Sequence, residues 1–274
     1  MKRVQLFEFH DLTWFPRLWR DILTDYLTYV SCQFGAFHPI LIKLKVSIGK
    51  ARSRRIIDLC SGASGPLIKL RRHIYDEDGS AMPVLLTDKF PNLTAFRKAN
   101  AATRGALTFH AESVDAMDVP EDLVGFRTLF ASFHHFKPAQ AVRILQDAVD
   151  KQSGIGIFEW TERSFAWCFR AAVSPFLFWV HAPRALKPLH GWKFFWVYVV
   201  PVPVFAFAWD CLVSCLRTYT EAELLELTNS VCSEHYEWET GHVRSSWGGR
   251  ITYLIGTPKV ASAAGALVGV PPVP

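Results

Sequence analysis

Cysteines are few in this chain, and their spacing predicts no metal site. The 274 residues include six cysteines, none in a Cys-x-x-Cys pair, and the cysteine and histidine spacing matches no zinc template. Two of them, Cys211 and Cys215, lie one helical turn apart, which is more typical of a shared buried face than of a metal site. We therefore expect reduced thiols and no bound metal.

The first residues lack the continuous apolar core of a signal peptide. The chain begins Met-Lys-Arg-Val-Gln-Leu-Phe-Glu-Phe-His-Asp, with charges of both signs. Together with the scattered cysteines, this start predicts a cytoplasmic protein. No internal repeat is visible, and the length suits one α/β domain with additions.

Two common nucleotide-binding patterns are also absent from residues 54–66. The segment reads Arg-Arg-Ile-Ile-Asp-Leu-Cys-Ser-Gly-Ala-Ser-Gly-Pro, which contains neither Gly-x-Gly-x-x-Gly nor a Walker loop. A short apolar strand ends at Asp58 and leads into a turn of small residues. Gly62 and Gly65 allow the backbone to turn sharply and to approach a ligand, and Pro66 suits the start of a helix.

This turn resembles the first motif of class I methyltransferases that use S-adenosylmethionine. In that family an acidic residue ends the first strand and a Gly-x-Gly-like turn follows, here Asp58 to Gly65. The resemblance implies that Asp58 lies near the amino-acid end of the cofactor and that Gly62 lies under its sugar and methionine. Cys60 and Ser64 stand where the family usually has glycines, but both are small.

The resemblance extends to the second strand. Residues 83–87 form an apolar run that ends at Asp88, where the family has a carboxylate that accepts hydrogen bonds from both ribose hydroxyls. The alternative is that Asp88 only caps a helix that begins near Pro91. For Phe90 the alternatives are stacking on adenine and packing in the core.

A third strand, near residues 106–111, precedes a segment that resembles the adenine-contacting part of the family. This segment contains Asp115 and Ala116, and we expect the Asp115 carboxylate and the neighbouring backbone to recognise the adenine amino group. The alternative is an ordinary acidic loop with Asp118 and Glu121.

The fourth strand, residues 128–132, ends at Ser132 and leads into a pair of histidines, His134 and His135. In many family members this position faces the transferred methyl group. Imidazole titrates near neutral pH, so either histidine could remove a proton from the acceptor or orient it. Alternatively, the pair shapes the loop and caps the helix after Pro138.

The remaining pattern completes the family's arrangement. Residues 155–158 predict a fifth strand that ends at Glu159, a further candidate for orienting the acceptor. Thr220-Glu221-Ala222-Glu223 is a capping box, and Gly248-Gly249 predicts a hairpin between strands 236–244 and 251–256. We expect a Rossmann-like, mostly parallel sheet of seven strands with a C-terminal antiparallel hairpin. The resemblance covers about residues 50–160 and 216–258.

Additions to this core define four expected parts of the chain. These are an N-terminal helical extension (1–50), the methyltransferase core (51–163 and 216–259), a hydrophobic insertion after the fifth strand (164–215) and a loose tail (260–274). In the extension, apolar residues from Leu18 to Val30 recur at helical spacing. This helix is either a lid over the cofactor and acceptor or a helix packed on the edge of the sheet.

The insertion lacks acidic residues from Ser164 to Trp209 and contains an apolar run of 16 residues, Phe194 to Trp209. The run is shorter than the roughly 20 residues of a bilayer span, and Pro201 and Pro203 would break a helix there. We expect either an apolar cap over the acceptor or an interfacial contact with an anionic membrane. A full membrane span of residues 194–216, which is less favoured, and an enlarged core or a dimer surface are further alternatives.

Motifs typical of DNA methyltransferases are absent after the fourth strand. The chain has neither Asn/Asp-Pro-Pro-Tyr nor a Pro-Cys nucleophile there, and it shows no basic stripe with exposed aromatic residues. We therefore expect an S-adenosylmethionine-dependent methyltransferase acting on a small hydrophobic acceptor (a lipid, quinone, terpenoid or polyketide), peripheral on a membrane. The alternatives are a noncatalytic scaffold with the same fold and an enzyme acting on protein or RNA.

Overall fold

Seven strands form one sheet in the computed structural model, which describes residues 1–33, 35–62, 65–74, 79, 81–189, 191–232, 234–245 and 249–259. The strands are β1 (Ile56–Asp58), β2 (Val84–Leu86), β3 (Leu107–Phe109), β4 (Phe126–Phe130), β5 (Ile155–Glu159), β6 (Tyr236–Arg244) and β7 (Arg250–Pro258). Their order is β3-β2-β1-β4-β5-β7-β6. β1 to β5 are parallel, and β7 runs antiparallel to both β5 and β6. The predicted fold class is confirmed.

The order of the strands reverses beside β1, which fixes where a ligand can bind. β1 pairs with β2 on one side and with β4 on the other, so that Ile57 lies opposite both Leu85 and Arg127. The connections from β1 therefore lead to one side of the sheet, and those from β4 lead to the other. Loops diverge at such a switch point and leave a crevice outside the carboxyl ends of the strands.

Helices cover both faces of the sheet. They are α1 (Arg17–Gln33), α2 (Leu41–Lys50), α3 (Leu67–Leu70), α4 (Leu93–Ala102), α5 (Pro138–Asp150), α6 (Phe165–Ala185), α7 (Gly191–Phe194), α8 (Val202–Arg217) and α9 (Glu221–Asn229). One core cluster joins the sheet to α5 and α9 through residues such as Ile144 and Leu224. The cluster on the opposite face includes Leu44 of α2, Leu67 of α3 and Phe96 of α4.

Several element boundaries differ from the sequence predictions. β4 ends at Phe130 instead of Ser132, because Ala131 has a left-handed φ of 47° and a 3₁₀ turn begins at Phe133. α3 has only four residues and continues as a 3₁₀ turn, so no long helix follows the glycine turn. The capping box of α9 is confirmed by reciprocal hydrogen bonds between Thr220 and Glu223. Gly248 and residues 260–274 lie outside the described residues.

The N-terminal helix and the insertion share a third apolar cluster. α1 packs chiefly on α6 and α8, where Tyr26 stacks on Phe178 with ring centroids 3.9 Å apart. α1 was expected either over the cofactor and acceptor or on the edge of the sheet, whereas it packs chiefly on the helices of the insertion. Its C-terminal end also reaches the glycine turn, where the Cys32 thiol donates to the carbonyl of Gly65 at 2.8 Å. The division of the chain into four parts stays a prediction.

The apolar run of the insertion is helical but broken. Gly191–Val199, which ends in a π-helical turn, and Val202–Arg217 meet at a bend of 63°. Pro201 lies at this break, as the sequence predicts for a proline within an apolar helix. In the described part of the chain no single helix is long and apolar enough to cross a bilayer, and this bent pair meets that test only when both of its parts are taken together.

Candidate functional site

Hydrogen bonds join the loops at the carboxyl ends of β1, β2 and β4. The Thr128 hydroxyl donates to the Asp58 carboxylate at 2.7 Å, which ties β4 to β1. The Gly62 amide donates to the Asp88 carboxylate at 2.9 Å, which ties the glycine turn to the end of β2. The Val114 amide donates to the Asp88 carbonyl at 3.0 Å and adds the loop after β3. The residues expected to bind the cofactor therefore lie along one edge of the sheet.

The turn after β1 depends on small residues. Cys60 and Gly62 have left-handed φ angles of 55° and 54°, which are costly for most side chains and easy for glycine. Burial raises the pKa of the Cys60 thiol well above its usual value, so this cysteine is neutral. A Cβ on Gly65 would collide with the hydroxyl of Ser31, so Gly65 makes room for α1. The ligand-binding role of the turn stays a prediction.

Asp58 is a buried acid with an unusual pKa. Its residue surface is 3% exposed. Burial raises its pKa to about 7, although hydrogen bonds from Thr128 and Ser61 act in the opposite direction. The negative charge of Asp88 adds to the increase. A cationic ligand beside Asp58 would favour its ionised form.

Asp88 does not cap the helix that follows it. Its two carboxylate oxygens accept hydrogen bonds from the amides of Gly62 and Phe90, each at 2.9 Å. The cap of α4 is Asn92, whose side chain accepts from the amide of Ala95. Phe90 is 81% exposed, so its interpretation as a core residue is wrong. Adenine stacking by Phe90 and ribose binding by Asp88 stay predictions.

The remaining expected cofactor contacts lie beside Asp88. Burial alone would raise the pKa of Asp115, but hydrogen bonds and charge from Lys89 and the Met117 amide lower it, so the carboxylate is ionised. Lys89 binds Asp115 at 2.8 Å. Ala116 is buried, and the buried Ser132 hydroxyl has no hydrogen-bond partner within the described part of the chain. A buried hydroxyl without a partner is costly unless a ligand or water satisfies it.

The two histidines after β4 are held differently. His134 is buried, and its Nδ1 lies 2.8 Å from Oε2 of Glu159, while its backbone amide donates to Oε1 at 3.1 Å. Glu159 therefore orients the His134 ring directly. The neighbouring ring of His135 lies 4.4 Å away between centroids. Neither histidine caps α5, whose first amides follow Lys137.

The N-terminal segment, residues 3–11, lies over this histidine pair. Glu8 is 3% exposed, and its carboxylate lies 3.9 Å from Nε2 of His134 and 3.7 Å from Nε2 of His135. Asp11 lies 3.0 Å from Nδ1 of His135. Burial alone would lower the pKa of His135, but the charges of Glu8 and Asp11 outweigh it and raise the pKa to about 9.

α8 holds the N-terminal segment in place. Nη1 of Arg217 lies 3.2 Å from Glu8 and 2.9 Å from Asp11, and its Nε donates to the carbonyl of Leu6 at 2.8 Å. The Asp210 carboxylate accepts hydrogen bonds from the amides of Phe9 and His10. The bonds from Arg217 and Asp210 fix the position of Glu8.

Sequence reasoning missed these four residues of the cluster: Glu8, Asp11, Asp210 and Arg217. The segment that carries Glu8 and Asp11 has no helical or strand periodicity that would indicate burial. One sequence feature pointed to this cluster. Asp210 interrupts the apolar sequence directly after Trp209. A buried acid needs partners, and here they are the amides of the N-terminal segment.

A cleft lies at the opposite, amino edge of the sheet. Its volume is about 350 Å³, and Arg52, Arg55 and Lys151 are among its lining residues. Ligands of open parallel sheets bind at the carboxyl edge, and the hydrogen-bonded loops described above lie there. We therefore assign the candidate site to the carboxyl edge.

Comparison with solved structures identifies the fold. Human N-acetylserotonin methyltransferase, solved in complex with S-adenosylmethionine, matches with a TM-score of 0.52 and 11% identity over 88% of this chain and 57% of that chain. The mitomycin 7-O-methyltransferase MmcR matches with a TM-score of 0.53 and 12% identity over 93% of this chain and 61% of that chain. This chain thus spans less than two thirds of either protein.

No protein-family profile and no curated protein sequence matches the chain. At identities of 11% and 12%, the structural likeness establishes the fold. The chain has the fold of the class I S-adenosylmethionine-dependent methyltransferases, as its sequence motifs predict.

Proposed function

We propose that this protein is an S-adenosylmethionine-dependent methyltransferase that acts on a small hydrophobic acceptor at an anionic membrane surface. The observation that carries the proposal is the bond between Asp88 and Gly62, at the carboxyl edge of a sheet with the class I order. It brings the two strand-end motifs of the family together. Cytoplasmic, peripheral attachment to the membrane is part of the proposal.

The residues along this edge suit the chemistry of the cofactor. The Asp88 carboxylate, which the amides of Gly62 and Phe90 hold in place, has further lone pairs that can accept from the two ribose hydroxyls. Asp58, with a pKa raised to about 7, offers a negative charge to the amino-acid end of a cationic molecule. The unpartnered Ser132 hydroxyl offers a further hydrogen bond. S-adenosylmethionine would supply an electrophilic methyl group on its sulfonium.

Direct transfer needs an oriented nucleophile and little water. The acceptor atom attacks the methyl carbon in line, the carbon–sulfur bond breaks, and its electron pair stays on sulfur. If the acceptor is a hydroxyl, His134 takes its proton. Glu159 supports His134 in this role, because its carboxylate fixes the ring and stabilises the imidazolium that forms. His135, whose pKa is raised to about 9, already holds a proton near neutral pH and would instead orient the acceptor. The buried surroundings of His134 exclude water from this step.

Exposed apolar side chains on the insertion support a membrane surface. Phe165 is 83% exposed, Phe169 is 69% exposed and Phe176 is 66% exposed, all on α6, and Val199 and Phe205 are exposed on the bent pair that follows. Soluble monomers rarely expose so many large apolar residues in one segment. Rings of this kind insert at the boundary between head groups and acyl chains.

The charge of the insertion favours an anionic bilayer as the occupant of this surface. No acidic residue occurs from Ser164 to Trp209, whereas Arg170, Arg184 and Lys187 lie on or beside α6. The positive charge of Lys193 is offset by its ion pair with Asp25. Basic residues beside an apolar surface add attraction to anionic head groups. A bilayer would also supply hydrophobic acceptors directly to a site covered by the N-terminal segment and α8.

The test follows a labelled methyl group from S-adenosylmethionine into fractionated cell extract, with mass spectrometry of the product. We expect label in a small, organic-soluble molecule. Label in protein or RNA would show that the acceptor is a macromolecule and not a small hydrophobic molecule. Binding of S-adenosylmethionine without transfer to any fraction would favour the noncatalytic scaffold, and absence of binding would refute the proposal.

A further inference from the structure

We propose that Glu8, His134 and His135 form a binding site for one divalent transition metal ion of the Zn²⁺ type. The sequence alone predicts no metal, because its cysteines and histidines match no zinc template and Glu8 lies far from the histidines in the chain. Folding of the N-terminal segment over the loop after β4 brings the three residues together. One ligand atom from each of them lies within 4.8 Å of the others.

One nitrogen in this cluster is unpartnered. His134 is 3% exposed, and its Nε2 has no hydrogen-bond partner within the described residues, although it faces Oε1 of Glu8 at 3.9 Å. Nε2 of His135 faces Oε2 of Glu8 at 3.7 Å. These gaps are too long for hydrogen bonds. The two imidazole nitrogens face different oxygens of the same carboxylate, so an ion between them would be bound by one or both oxygens of Glu8.

The size of the gap is close to that of a metal site. Imidazole nitrogen and carboxylate oxygen bind Zn²⁺ at about 2.0 to 2.2 Å. Two ligands of one tetrahedral ion at such distances lie roughly 3.3 to 3.6 Å apart. The measured separations of 3.7 and 3.9 Å, each to a different oxygen of Glu8, are slightly longer, so the side chains would close a little on a bound ion. Two imidazoles and one carboxylate are also a known catalytic Zn²⁺ ligand set, with a coordination position left open.

Carboxylates hold the far nitrogen of both imidazoles. Nδ1 of His134 lies 2.8 Å from Glu159, and Nδ1 of His135 lies 3.0 Å from Asp11. When Nδ1 donates to a carboxylate, the lone pair of a neutral imidazole is on Nε2 and points at the ion. Metal-binding histidines almost always have such a partner, which fixes the ring and makes the nitrogen more basic. Here both rings have one, and both direct Nε2 towards Glu8.

The local charge also favours a cation. Glu8, Asp11 and Glu159 contribute three carboxylates to the cluster. The guanidinium groups beside them belong to Arg217, which contacts Glu8 and Asp11, and to Arg3, which donates to the carbonyls of His134 and Phe136. In the loaded state both imidazoles are neutral, so the three carboxylates outnumber the two guanidinium groups, and a divalent ion would offset this surplus.

Binding of the ion does not depend on the proposed function; only the role of the ion in methyl transfer rests on it. A proton and a metal ion are alternative occupants of the same Nε2 atoms. In ion-free protein His134 can take the proton of an acceptor hydroxyl. In loaded protein the ion would supply an open coordination position for the oxygen of that hydroxyl and would lower its pKa.

Co²⁺ is the probe, because its visible absorption reports coordination directly. Untagged full-length protein is treated with a chelator, dialysed and titrated with Co²⁺. We expect a visible band that saturates at one ion per chain and disappears when Zn²⁺ is added. His134→Ala and Glu8→Gln should each weaken Co²⁺ binding at least about 100-fold, and Glu159→Gln about 10- to 100-fold.

His73→Ala is the matched control. His38 and His73 form another histidine pair, with ring centroids 5.3 Å apart, and both are exposed. The control should keep the one-to-one band, and circular dichroism should show that each variant is folded. If Glu8→Gln or His134→Ala fails to fold, Glu159→Gln, which leaves all three ligands in place, gives the comparison.

Two results would overturn the site. One is wild-type protein without a saturable one-to-one band. The other is a band that survives with unchanged affinity in both Glu8→Gln and His134→Ala. S-adenosylmethionine binding, measured in the same preparations, separates this failure from failure of the proposed function, since the cofactor contacts do not include Glu8.

Discussion

The side chain of Asp88 accepts a hydrogen bond from the backbone amide of Gly62 at 2.9 Å. This bond joins the end of β2 to the left-handed turn after β1. The second carboxylate oxygen accepts from the amide of Phe90, so both oxygens are held by backbone donors. A carboxylate fixed in this way is preorganised to receive two hydroxyl donors from a ribose.

Replacement of Asp88 by alanine should weaken S-adenosylmethionine binding about 10- to 100-fold, because two hydrogen bonds to a charged group are lost. Isothermal titration calorimetry gives the affinity. Asp122→Ala, at an exposed acid before β4, is the control and should bind as wild type does. Unchanged affinity in Asp88→Ala would show that the ribose assignment is wrong.

Stability should depend on pH through Asp58. Its folded pKa of about 7 lies above the value of about 3.9 in an unfolded chain. For an acid with a raised pKa, the stabilising contribution is present at low pH and is lost as pH rises from about 4 to about 7. The ionised form should therefore cost about 4 kcal/mol at pH 8.

Asp58→Asn tests this dependence, because asparagine stays neutral and can still accept from Thr128. We expect the variant and the wild type to have similar free energies of unfolding near about pH 4, and the variant to be more stable above about pH 7. Urea denaturation at several pH values measures the difference. A difference that does not change with pH would contradict the raised pKa.

Much of this edge of the sheet could be predicted from the sequence. Asp58, Asp88 and Glu159 each end an apolar run, and such runs are local patterns that mark strands whatever the rest of the chain does. Parallel strands bring their carboxyl ends to one edge, so the approximate site followed from the strand assignments. The seven-stranded, mostly parallel sheet with its C-terminal antiparallel hairpin was expected from the family resemblance.

The cluster around Glu8 could not be predicted in the same way. Its burial results from contacts with Ser214 and Arg217, and those residues lie near the opposite end of the chain. No local pattern signals such a contact. The early end of β4 was missed as well, because alanine carries no sequence signal for the left-handed φ that Ala131 adopts.

Arg217 should be a major support of the N-terminal segment. It is 4% exposed and binds Glu8, Asp11 and the carbonyl of Leu6. Arg217→Ala leaves the buried Glu8 carboxylate without this partner, so the free energy of unfolding should fall by about 3 kcal/mol. Chemical denaturation measures this, and Arg97→Ala, on the exposed side of α4, should change stability little. Equal effects of the two substitutions would contradict the role of Arg217.

The insertion should bind anionic vesicles through its exposed phenylalanines. The double variant Phe165→Asp and Phe169→Asp removes two rings that would enter the interface and adds two negative charges. Partitioning to phosphatidylglycerol vesicles should fall at least about 100-fold. Flotation measures it, and binding by the wild type should weaken as salt is raised.

Val124→Asp is the control for vesicle binding. Val124 is 71% exposed but lies beside β4, away from the insertion, so its variant should float with vesicles as the wild type does. Equal loss in both variants would indicate a general effect of charge. Retention of the double variant on vesicles would exclude this face of α6 as the contact.

Methyl transfer itself is the most direct measurement. Purified protein is incubated with S-adenosylmethionine labelled in its methyl group and with total cell extract, which is then separated into organic-soluble, protein and nucleic-acid fractions. The account predicts that label accumulates in the organic-soluble fraction with wild type and that Asp88→Ala transfers far less at the same cofactor concentration. Absence of label from that fraction, with cofactor binding intact, would contradict it.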